Sequence, residues 1–182
     1  MNRPKTNEFS FFKGGAVMSF QKILVIGCPG SGKSSFARAL HAATGLPLYH
    51  LDMLYWNADK TTVSSEIFDE RLGRILEKDQ WIIDGNFSRT MEKRLQFCDT
   101  VFFLDLPAEV CLEGVCARRG KPRSDLPWIE TEEDSAFMEY IKAFSAERRP
   151  EILSLLEKYP QVNSIVFRSR EEADDYLAAY GG

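Results

Sequence analysis

The chain has 182 residues, of which 44% are hydrophobic and 27% charged, and its formal net charge is −4. This is the composition of an ordinary single globular domain. The acidic charge argues against direct binding of nucleic acid through its phosphates, and no apolar run approaches the roughly 20 residues that span a bilayer.

The four cysteines form no CxxC pair, and the sequence shows no secretory signal. We therefore expect a cytoplasmic protein whose thiols are free. Residues 1–17 mix Pro, Lys, Asn and Gly without helical or strand periodicity, and we predict that they form a disordered extension. The alternative is an ordered N-terminal arm. Residues 18–182 are expected to form one domain.

Short apolar runs alternate with helical patterns along this domain. The predicted strands are 22–26, 46–52, 81–84, 100–106 and 164–167. Helices are expected at about 34–43, 63–79, 89–98, 107–119, 135–159 (with a kink or break at Pro150) and 169–180. Strands that are apolar on both faces and alternate with helices predict a parallel sheet covered by helices, an α/β fold.

Residues 27–34, GCPGSGKS, match the phosphate-binding pattern GxxxxGK[ST] in full, between a predicted strand and a predicted helix. Glycines let backbone N–H groups approach a phosphate at the helix N-terminus. Lys33 is expected to contact the β- and γ-phosphates of a nucleoside triphosphate, and Ser34 to bind Mg²⁺. Cys28 lies in the same loop, where the helix N-terminus is expected to lower the pKa of its thiol. The predicted nucleotide-binding residues are Gly27, Pro29, Gly30, Ser31, Gly32, Lys33, Ser34 and Ser35, with Arg118 beyond the loop.

Two aspartates follow strands at the edge where parallel sheets bind ligands. Asp84 is predicted to hold a Mg²⁺-bound water, so that Ser34 and Asp84 form the metal site; the alternative is a turn aspartate before Gly85. Asp52 is predicted to accept the proton of an attacking hydroxyl group, with a capping role as an equal alternative. His50 is expected to pack or to cap.

Basic residues concentrate in an irregular segment after the fourth strand. Arg118, Arg119, Lys121 and Arg123 surround Gly120 there. Arginines on a loop that can close over phosphates suit phosphoryl transfer, so Arg119 and Arg123 are predicted to be catalytic; a solvated charge cluster is the alternative.

Arg148 continues an apolar stripe of Phe137, Ile141 and Phe144 along one helix. This position predicts an inward-pointing guanidinium with an anionic partner, such as a triphosphate, and hence a catalytic role. The alternative is a side chain that reaches solvent at the helix end.

The chain resembles the adenylate-kinase-like branch of P-loop kinases, and within it the bacterial DNA topology modulation proteins. The resembling stretches are ILVIGCPGSGKSSFARAL, HLDMLYW, WIIDGNFSRTMEKRL, VFFLDLP, RRGKPR and ERRPEIL. The resemblance implies a three-layer P-loop NTPase with sheet order 2-3-1-4-5, an acceptor flap at about 53–79 and a lid at about 119–134. It also implies an ATP- and Mg²⁺-dependent kinase of small molecules.

One motif departs from adenylate kinases, in which the arginine of DGFPRT grips a monophosphate acceptor. Here DGNFSRT places Ser88 at that arginine's distance from Asp84, and Arg89 one residue later, about 100° around a helix. The acceptor is therefore open between a hydroxyl, with Asp52 as the base, and a monophosphate, with Arg89 or Arg71 as its ligand.

We thus expect a phosphotransferase that binds a nucleoside triphosphate and a small nucleoside, nucleotide or similar acceptor. The alternatives are a nucleic-acid-associated regulator of DNA topology and an NTP-binding switch or ATPase without an acceptor. Neither a membrane nor direct nucleic-acid contact is expected. The sequence leaves open the acceptor, the donor base and whether the protein is a monomer or a dimer.

Overall fold

A computed structural model describes residues 10–13 and 16–179. Near the N-terminus, β1 (Ser10–Lys13) and β2 (Ala16–Ser19) pair antiparallel as a separate two-stranded sheet. Residues 1–9 and 14–15, which belong to the predicted extension, lie outside the described residues. The disorder expected for residues 1–17 and the boundary at residue 18 stay predictions.

Five parallel strands form the central sheet. They are β3 (Lys22–Gly27), β4 (Leu48–His50), β5 (Trp81–Asp84), β6 (Thr100–Leu104) and β7 (Asn163–Phe167). Their order is β4-β5-β3-β6-β7, which confirms the predicted order 2-3-1-4-5. Val25 is in register with Asp84, and Gly27 with Leu104. The carboxyl ends of β3, β5 and β6 therefore meet at one edge, where the candidate site lies.

Seven helices accompany these strands in the described residues. They are α1 (Lys33–Thr44), α2 (Leu51–Tyr55), α3 (Ser65–Leu76), α4 (Ser88–Leu95), α5 (Ala108–Arg118), α6 (Ser135–Lys158) and α7 (Arg170–Ala178). Side-chain caps fix several of their starts. Ser64 accepts a hydrogen bond from the Ile67 N–H, and Ser169 accepts one from the Glu172 N–H. None of the helices in residues 10–13 and 16–179 combines the length and apolarity needed to cross a membrane.

The core is built on strands that bury both faces, as their continuous apolar composition predicts. The side chains from Ile23 to Ile26 and from Trp81 to Ile83 have no exposed surface. Phe102 on β6 stacks on Phe167 of β7 with ring centroids 6.0 Å apart, and Phe36 of α1 contacts both rings. This packing fixes α1, and with it the loop that precedes α1, on the sheet.

Two expectations about local structure need correction. Of the kink or break expected at Pro150, the break does not occur, because α6 continues through this residue. A proline removes one helical hydrogen bond, and the buried Phe144 and Ile152 on either side hold the helix against the core. Asp52 does not end a strand: β4 stops at His50, and Asp52 lies in the first turn of α2.

Candidate active site

The predicted phosphate loop joins β3 to α1. The loop contains a tight turn in which the Ser31 N–H donates a hydrogen bond to the Cys28 carbonyl over 3.1 Å. Gly32 has a left-handed backbone conformation, and α1 begins at the next residue, Lys33. The Ser31 hydroxyl is fully buried and has no hydrogen-bond partner among the described residues. An orphaned hydroxyl inside a loop at a helix N-terminus fits a bound phosphate oxygen.

The back of this loop rests on α5 and α7 at very close range. Gly30 has φ +83°, and a Cβ built there would lie 2.0 Å from the backbone oxygen of Cys111. A Cβ at Gly114 would lie 2.2 Å from the Gly30 oxygen. Arg170 donates to the carbonyls of Gly30 and Val110 at 3.0 and 2.9 Å. Only glycine at both positions permits this contact.

The front of the loop is tied to the end of β5 by Asn86. The Gly27 N–H donates to Asn86 Oδ1 over 3.0 Å, and Asn86 Nδ2 donates to the Gly27 carbonyl over 2.8 Å. Arg94 of α4 is fully buried beneath this connection and donates to the carbonyls of Gly85, Asn86 and Phe87. Burial lowers the pKa of Arg94 to about 9. Asn86 thus holds the phosphate loop, and Arg94 holds the backbone around Asn86.

A cavity of about 620 Å³ opens above residues 30–35 of the loop. Among the described residues, its charged lining consists of six basic side chains and two acidic ones. These are Lys33, Arg38, Arg118, Lys121, Arg123 and Arg170, with Asp125 and Asp174. A basic cavity in a chain of net charge −4 suits a polyanion such as a triphosphate.

The irregular segment 119–134, between α5 and α6, covers one side of this cavity. Arg118 and Arg123 both contact Glu130, at 3.1 and 2.6 Å, and Arg123 Nε donates to Asp125 Oδ1 over 3.2 Å. Burial by itself raises the pKa of Asp125, but the hydrogen bond and charge of Arg123 outweigh it and hold that pKa well below its usual range. The cavity-facing arginines are therefore paired within the protein.

Three acidic or basic side chains meet beside Lys33 at the carboxyl edge of the sheet. Asp84 is 4% exposed; its Oδ2 lies 2.7 Å from His50 Nδ1, and its Oδ1 has no partner within the described chain. Burial raises the pKa of the Asp52 carboxyl. The positive charge of Lys33 lowers this pKa by a smaller amount, and the negative charge of Asp84 raises it further. His50, expected only to pack or cap, is thus the hydrogen-bond partner of Asp84.

Several predicted arginines lie elsewhere. The side chain of Arg148 is 39% exposed and pairs with Glu151, so it reaches solvent, and the predicted inward orientation is not found. The neighbouring Arg149 instead reaches the buried Asp105. Arg119 pairs with Glu133, and neither Arg119 nor Arg148 is among the described residues that line the cavity. Their catalytic roles stay predictions.

Cys28 has a different environment from the one expected. Its side chain is 2% exposed, and a hydrogen bond with Cys111 together with burial raises the pKa of its thiol. The expectation of a lowered pKa was therefore wrong, because burial and the neighbouring thiol outweigh the helix N-terminus and the charge of Lys33.

Four site residues were not predicted: Arg38, Asn86, Arg94 and Asp125. Arg94 carried a signal, since it shares a helical face with Met91 and Leu95, where a buried arginine needs partners. Asn86 directly follows the Asp84–Gly85 pair, and Asp125 lies two residues after Arg123. Arg38 lies on the surface of α1, and only the fold shows which element faces it.

Comparison of the sequence with protein-family models and with curated proteins gives no match. Comparison with solved structures finds kinases of the same fold. A shikimate kinase from Acinetobacter baumannii, in complex with shikimate, is 15% identical with a TM-score of 0.59, covering 88% of this chain and 93% of that one. A shikimate kinase from Bacteroides thetaiotaomicron is 19% identical with a TM-score of 0.52, covering 86% and 94%.

A sugar kinase from Janibacter sp. is 17% identical with a TM-score of 0.50, covering 88% of this chain and 91% of that one. At these identities the similarity concerns the fold. The chain therefore has the fold of small-molecule P-loop kinases.

The close contact between Gly30 and Gly114 predicts opposite effects for two helical glycine substitutions. Gly114→Ala should destabilise the protein by about 1–3 kcal/mol, because its Cβ would overlap the Gly30 carbonyl. Gly73→Ala in α3, where nothing lies within 4 Å, should stabilise it by about 0.5–1 kcal/mol. Urea unfolding measures both; equal stabilisation by the two changes would contradict the contact.

The thiols should differ in reactivity according to burial. Iodoacetamide at pH 8 should modify the exposed Cys116 in the native protein, while Cys28 and Cys111 should react only after unfolding, because they are buried. Burial also raises the pKa of Cys98 to about 12, which should slow its reaction. Peptide mapping by mass spectrometry measures each site, and equal labelling of Cys28 and Cys116 would contradict the structure.

Proposed function

We propose that this protein is an ATP- and Mg²⁺-dependent phosphotransferase that phosphorylates a hydroxyl group of a small acceptor. One observation carries the proposal: Asp52, a half-buried carboxylate, lies close enough to Lys33 of the phosphate loop for the charge of the lysine to act on it. A phosphate-binding lysine beside a poised base is the minimum that phosphoryl transfer to a hydroxyl requires.

The loop would hold the nucleotide through residues 30–35, with Lys33 on the β- and γ-phosphates. The hydroxyl of Ser34 and the free Oδ1 of Asp84 would hold Mg²⁺, Asp84 through a water. Bound there, Mg²⁺ would neutralise phosphate charge. His50 fixes Asp84 through its other oxygen, so the unpaired oxygen keeps one orientation.

Asp52 would act as the general base. It accepts the proton of the acceptor hydroxyl while the oxygen forms its bond to the γ-phosphorus, and the bond between that phosphorus and the β–γ bridging oxygen breaks, leaving ADP. Burial raises the pKa of Asp52, which makes it a stronger base than an exposed aspartate. Lys33 stays close enough to favour the charged form of Asp52 before reaction.

Segment 119–134 would serve as a lid and segment 53–79 as the acceptor flap. Arg118 and Arg123 now pair with Glu130, in partly exposed ion pairs that contribute little stability. Phosphate oxygens carry more charge than a carboxylate, so a bound triphosphate can take over these arginines. Lid arginines that exchange partners would close the site and exclude water.

The neighbours by fold support a hydroxyl acceptor, whereas the two candidate monophosphate ligands have other partners that a phosphate could displace, since the Arg89–Asp69 pair is exposed. Arg89, one candidate for gripping a monophosphate, donates both its Nη atoms to Asp69 at 2.8 and 2.7 Å. Arg71 donates to the Leu54 carbonyl. The neighbours by fold, which include a shikimate kinase in complex with shikimate and a sugar kinase, are consistent with a small acceptor that carries hydroxyl groups.

The nucleic-acid alternative receives less support. The resemblance to DNA topology modulation proteins suggests it, and segment 119–134 with Arg118 was its basic region. That region contains four basic and five acidic side chains, however, and its arginines pair with its own carboxylates. An internally neutralised loop gains little from releasing counterions on DNA. The third alternative is an NTP-binding switch or ATPase without an acceptor. It would differ from the proposed phosphotransferase only in that no acceptor would stimulate its turnover of ATP.

Lys33→Ala should remove ATP-dependent activity, by at least about 100-fold, and leave the fold intact. The control is Lys60→Ala, an exposed lysine of segment 53–79. ATP consumption measured against a panel of nucleosides, monophosphates and sugars identifies the acceptor. Unchanged ATP affinity in Lys33→Ala would remove this lysine from the site, and turnover that no acceptor stimulates would favour the ATPase alternative.

Asp52→Asn, which cannot take a proton, should lower kcat by about 10²–10⁴-fold and leave ATP affinity nearly unchanged. The pKa of Asp52 is raised, so lowering the pH should protonate it, and reduce activity, at pH values above those at which an ordinary aspartate titrates. The Asp52→Asn variant should lose this decline of activity at acidic pH. Asp59→Asn, in an exposed turn, is the control. A harmless Asp52→Asn beside an Arg89→Ala or Arg71→Ala that raises the acceptor KM would instead indicate a monophosphate acceptor.

A further inference from the structure

The cavity above the phosphate loop extends beyond the residues expected to hold phosphates. It follows α1 from Lys33 to Ala39, and six residues of helix correspond to about 9 Å. It also follows α7, which packs against α1. The residues of α7 that line it are Arg170, Ala173, Asp174 and Leu177. Their spacing of i, i+3, i+4 and i+7 means that one face of α7 forms a wall of the cavity.

Apolar side chains line the part of the cavity that lies beyond the phosphate loop. They come from α1, β6, α5 and α7, and are Phe36, Ala39, Leu104, Ala117, Ala173 and Leu177. A triphosphate gains nothing from an apolar wall, whereas a nucleotide base has apolar faces that it can bury there. Small-molecule sites combine such walls with a few polar groups that fix the orientation of the ligand. This part of the cavity therefore suits the base of a nucleotide.

Asp174 is the acidic residue on this face of α7, and its carboxylate is unpaired. Arg170 lies four residues before it, at the spacing of a helical ion pair. The guanidinium of Arg170 is engaged elsewhere, because its Nη2 donates to the carbonyls of Gly30 and Val110 at 3.0 and 2.9 Å. No hydrogen bond or ion pair involves the Asp174 side chain within residues 10–13 and 16–179. A carboxylate that lines the cavity is thus available to a ligand.

An ionised carboxylate accepts hydrogen bonds and donates none. We propose that the apolar part of the cavity holds the base of the nucleotide, and that Asp174 selects a purine with an exocyclic amino group by accepting a hydrogen bond from it. Adenine carries this group at C6 and guanine at C2. The base of ITP has neither amino group, and its oxygen at C6 is an acceptor that a carboxylate repels. This inference rests on the proposed binding of a nucleoside triphosphate, and it names the class of base.

The test compares three nucleotides that differ only in the base. The dissociation constants of ATP, GTP and ITP are measured at pH 7 by isothermal titration calorimetry in excess Mg²⁺. Wild-type protein should bind ATP or GTP about 10- to 100-fold more tightly than ITP, the range expected for one hydrogen bond to a charged group. A preference for ATP identifies the amino group at C6, and a preference for GTP identifies the one at C2.

Two variants of neighbouring residues on α7 test the role of Asp174. Asp174→Asn should reduce the preference to about 3-fold or less, because an amide can also donate a hydrogen bond to the oxygen at C6 of ITP. Asp175→Asn removes the same charge from an exposed residue that is not among the described residues lining the cavity, and should keep the wild-type preference. Each variant changes the repulsion of the phosphates equally for all three nucleotides, so the ratio of dissociation constants reports on the base.

A bulky side chain tests separately whether this part of the cavity holds the base. Ala117→Phe should weaken binding of the preferred nucleotide by at least about 10-fold, because the ring would occupy space between the apolar lining residues. Inorganic tripolyphosphate, which has no base, should bind as it does to the wild-type protein. Ala146→Phe, at an exposed position of α6, is the control. Circular dichroism and thermal unfolding verify that each variant is folded.

The outcomes separate the two proposals. Wild-type protein that binds neither the nucleotides nor tripolyphosphate would overturn the proposed function and this inference together. Wild-type protein that binds neither ATP nor GTP more tightly than ITP would overturn the role of Asp174 alone, as would an Asp174→Asn variant that keeps the wild-type preference. An Ala117→Phe variant that binds the preferred nucleotide normally, or that loses tripolyphosphate to the same degree, would overturn the placement of the base.

Discussion

The paired hydrogen bonds between Asn86 and the backbone of Gly27 are the constraint on which the site depends. They join the start of the phosphate loop to the loop after β5, so the proposed nucleotide and metal residues keep one relative position. Asn86 can do this only because Arg94 holds the carbonyls around it. A fully buried guanidinium is costly, and even a pKa of about 9 leaves Arg94 charged at neutral pH. This cost is offset because one guanidinium supplies hydrogen-bond donors to the three neighbouring carbonyls of Gly85, Asn86 and Phe87.

Charged side chains surround the cavity in two layers: an inner layer of side chains that line it, and an outer layer of ion pairs in segment 119–134 and Arg118. The inner layer is basic and would attract phosphates, whereas the paired carboxylates Glu130 and Glu133 neutralise the covering arginines Arg118 and Arg119 until a ligand arrives. Pairs that are partly exposed contribute little stability, so exchanging their partners costs little. The same arrangement explains how an acidic chain can offer a basic site without a surface that binds polyanions indiscriminately.

The sequence predicted the fold class from local patterns, because buried strands are apolar runs and the phosphate loop has a fixed spacing. The order of the sheet was predicted from the resemblance to P-loop kinases and not from a local pattern. The sequence did not predict the place of Arg148, since the apolar stripe left open whether this side chain points inward or pairs with Glu151, one turn further along the same helix. The partners of Asp84 and Gly27 lie 34 and 59 residues away in the chain. Contacts at that separation depend on strand order and register, which no local period encodes.

Aromatic side chains connect the two segments that would close over the substrates. Trp56, at the end of α2, meets Trp128 of segment 119–134 edge to face, with ring centroids 5.3 Å apart. Tyr55 contacts both Phe68 of α3 and Phe87 beside Asn86. These contacts run from the proposed acceptor flap to the proposed lid and to the loop that holds Gly27. Since edge-to-face rings add stability beyond their buried area, a displacement of either segment would change the energy of the other, which would couple acceptor binding to lid closure.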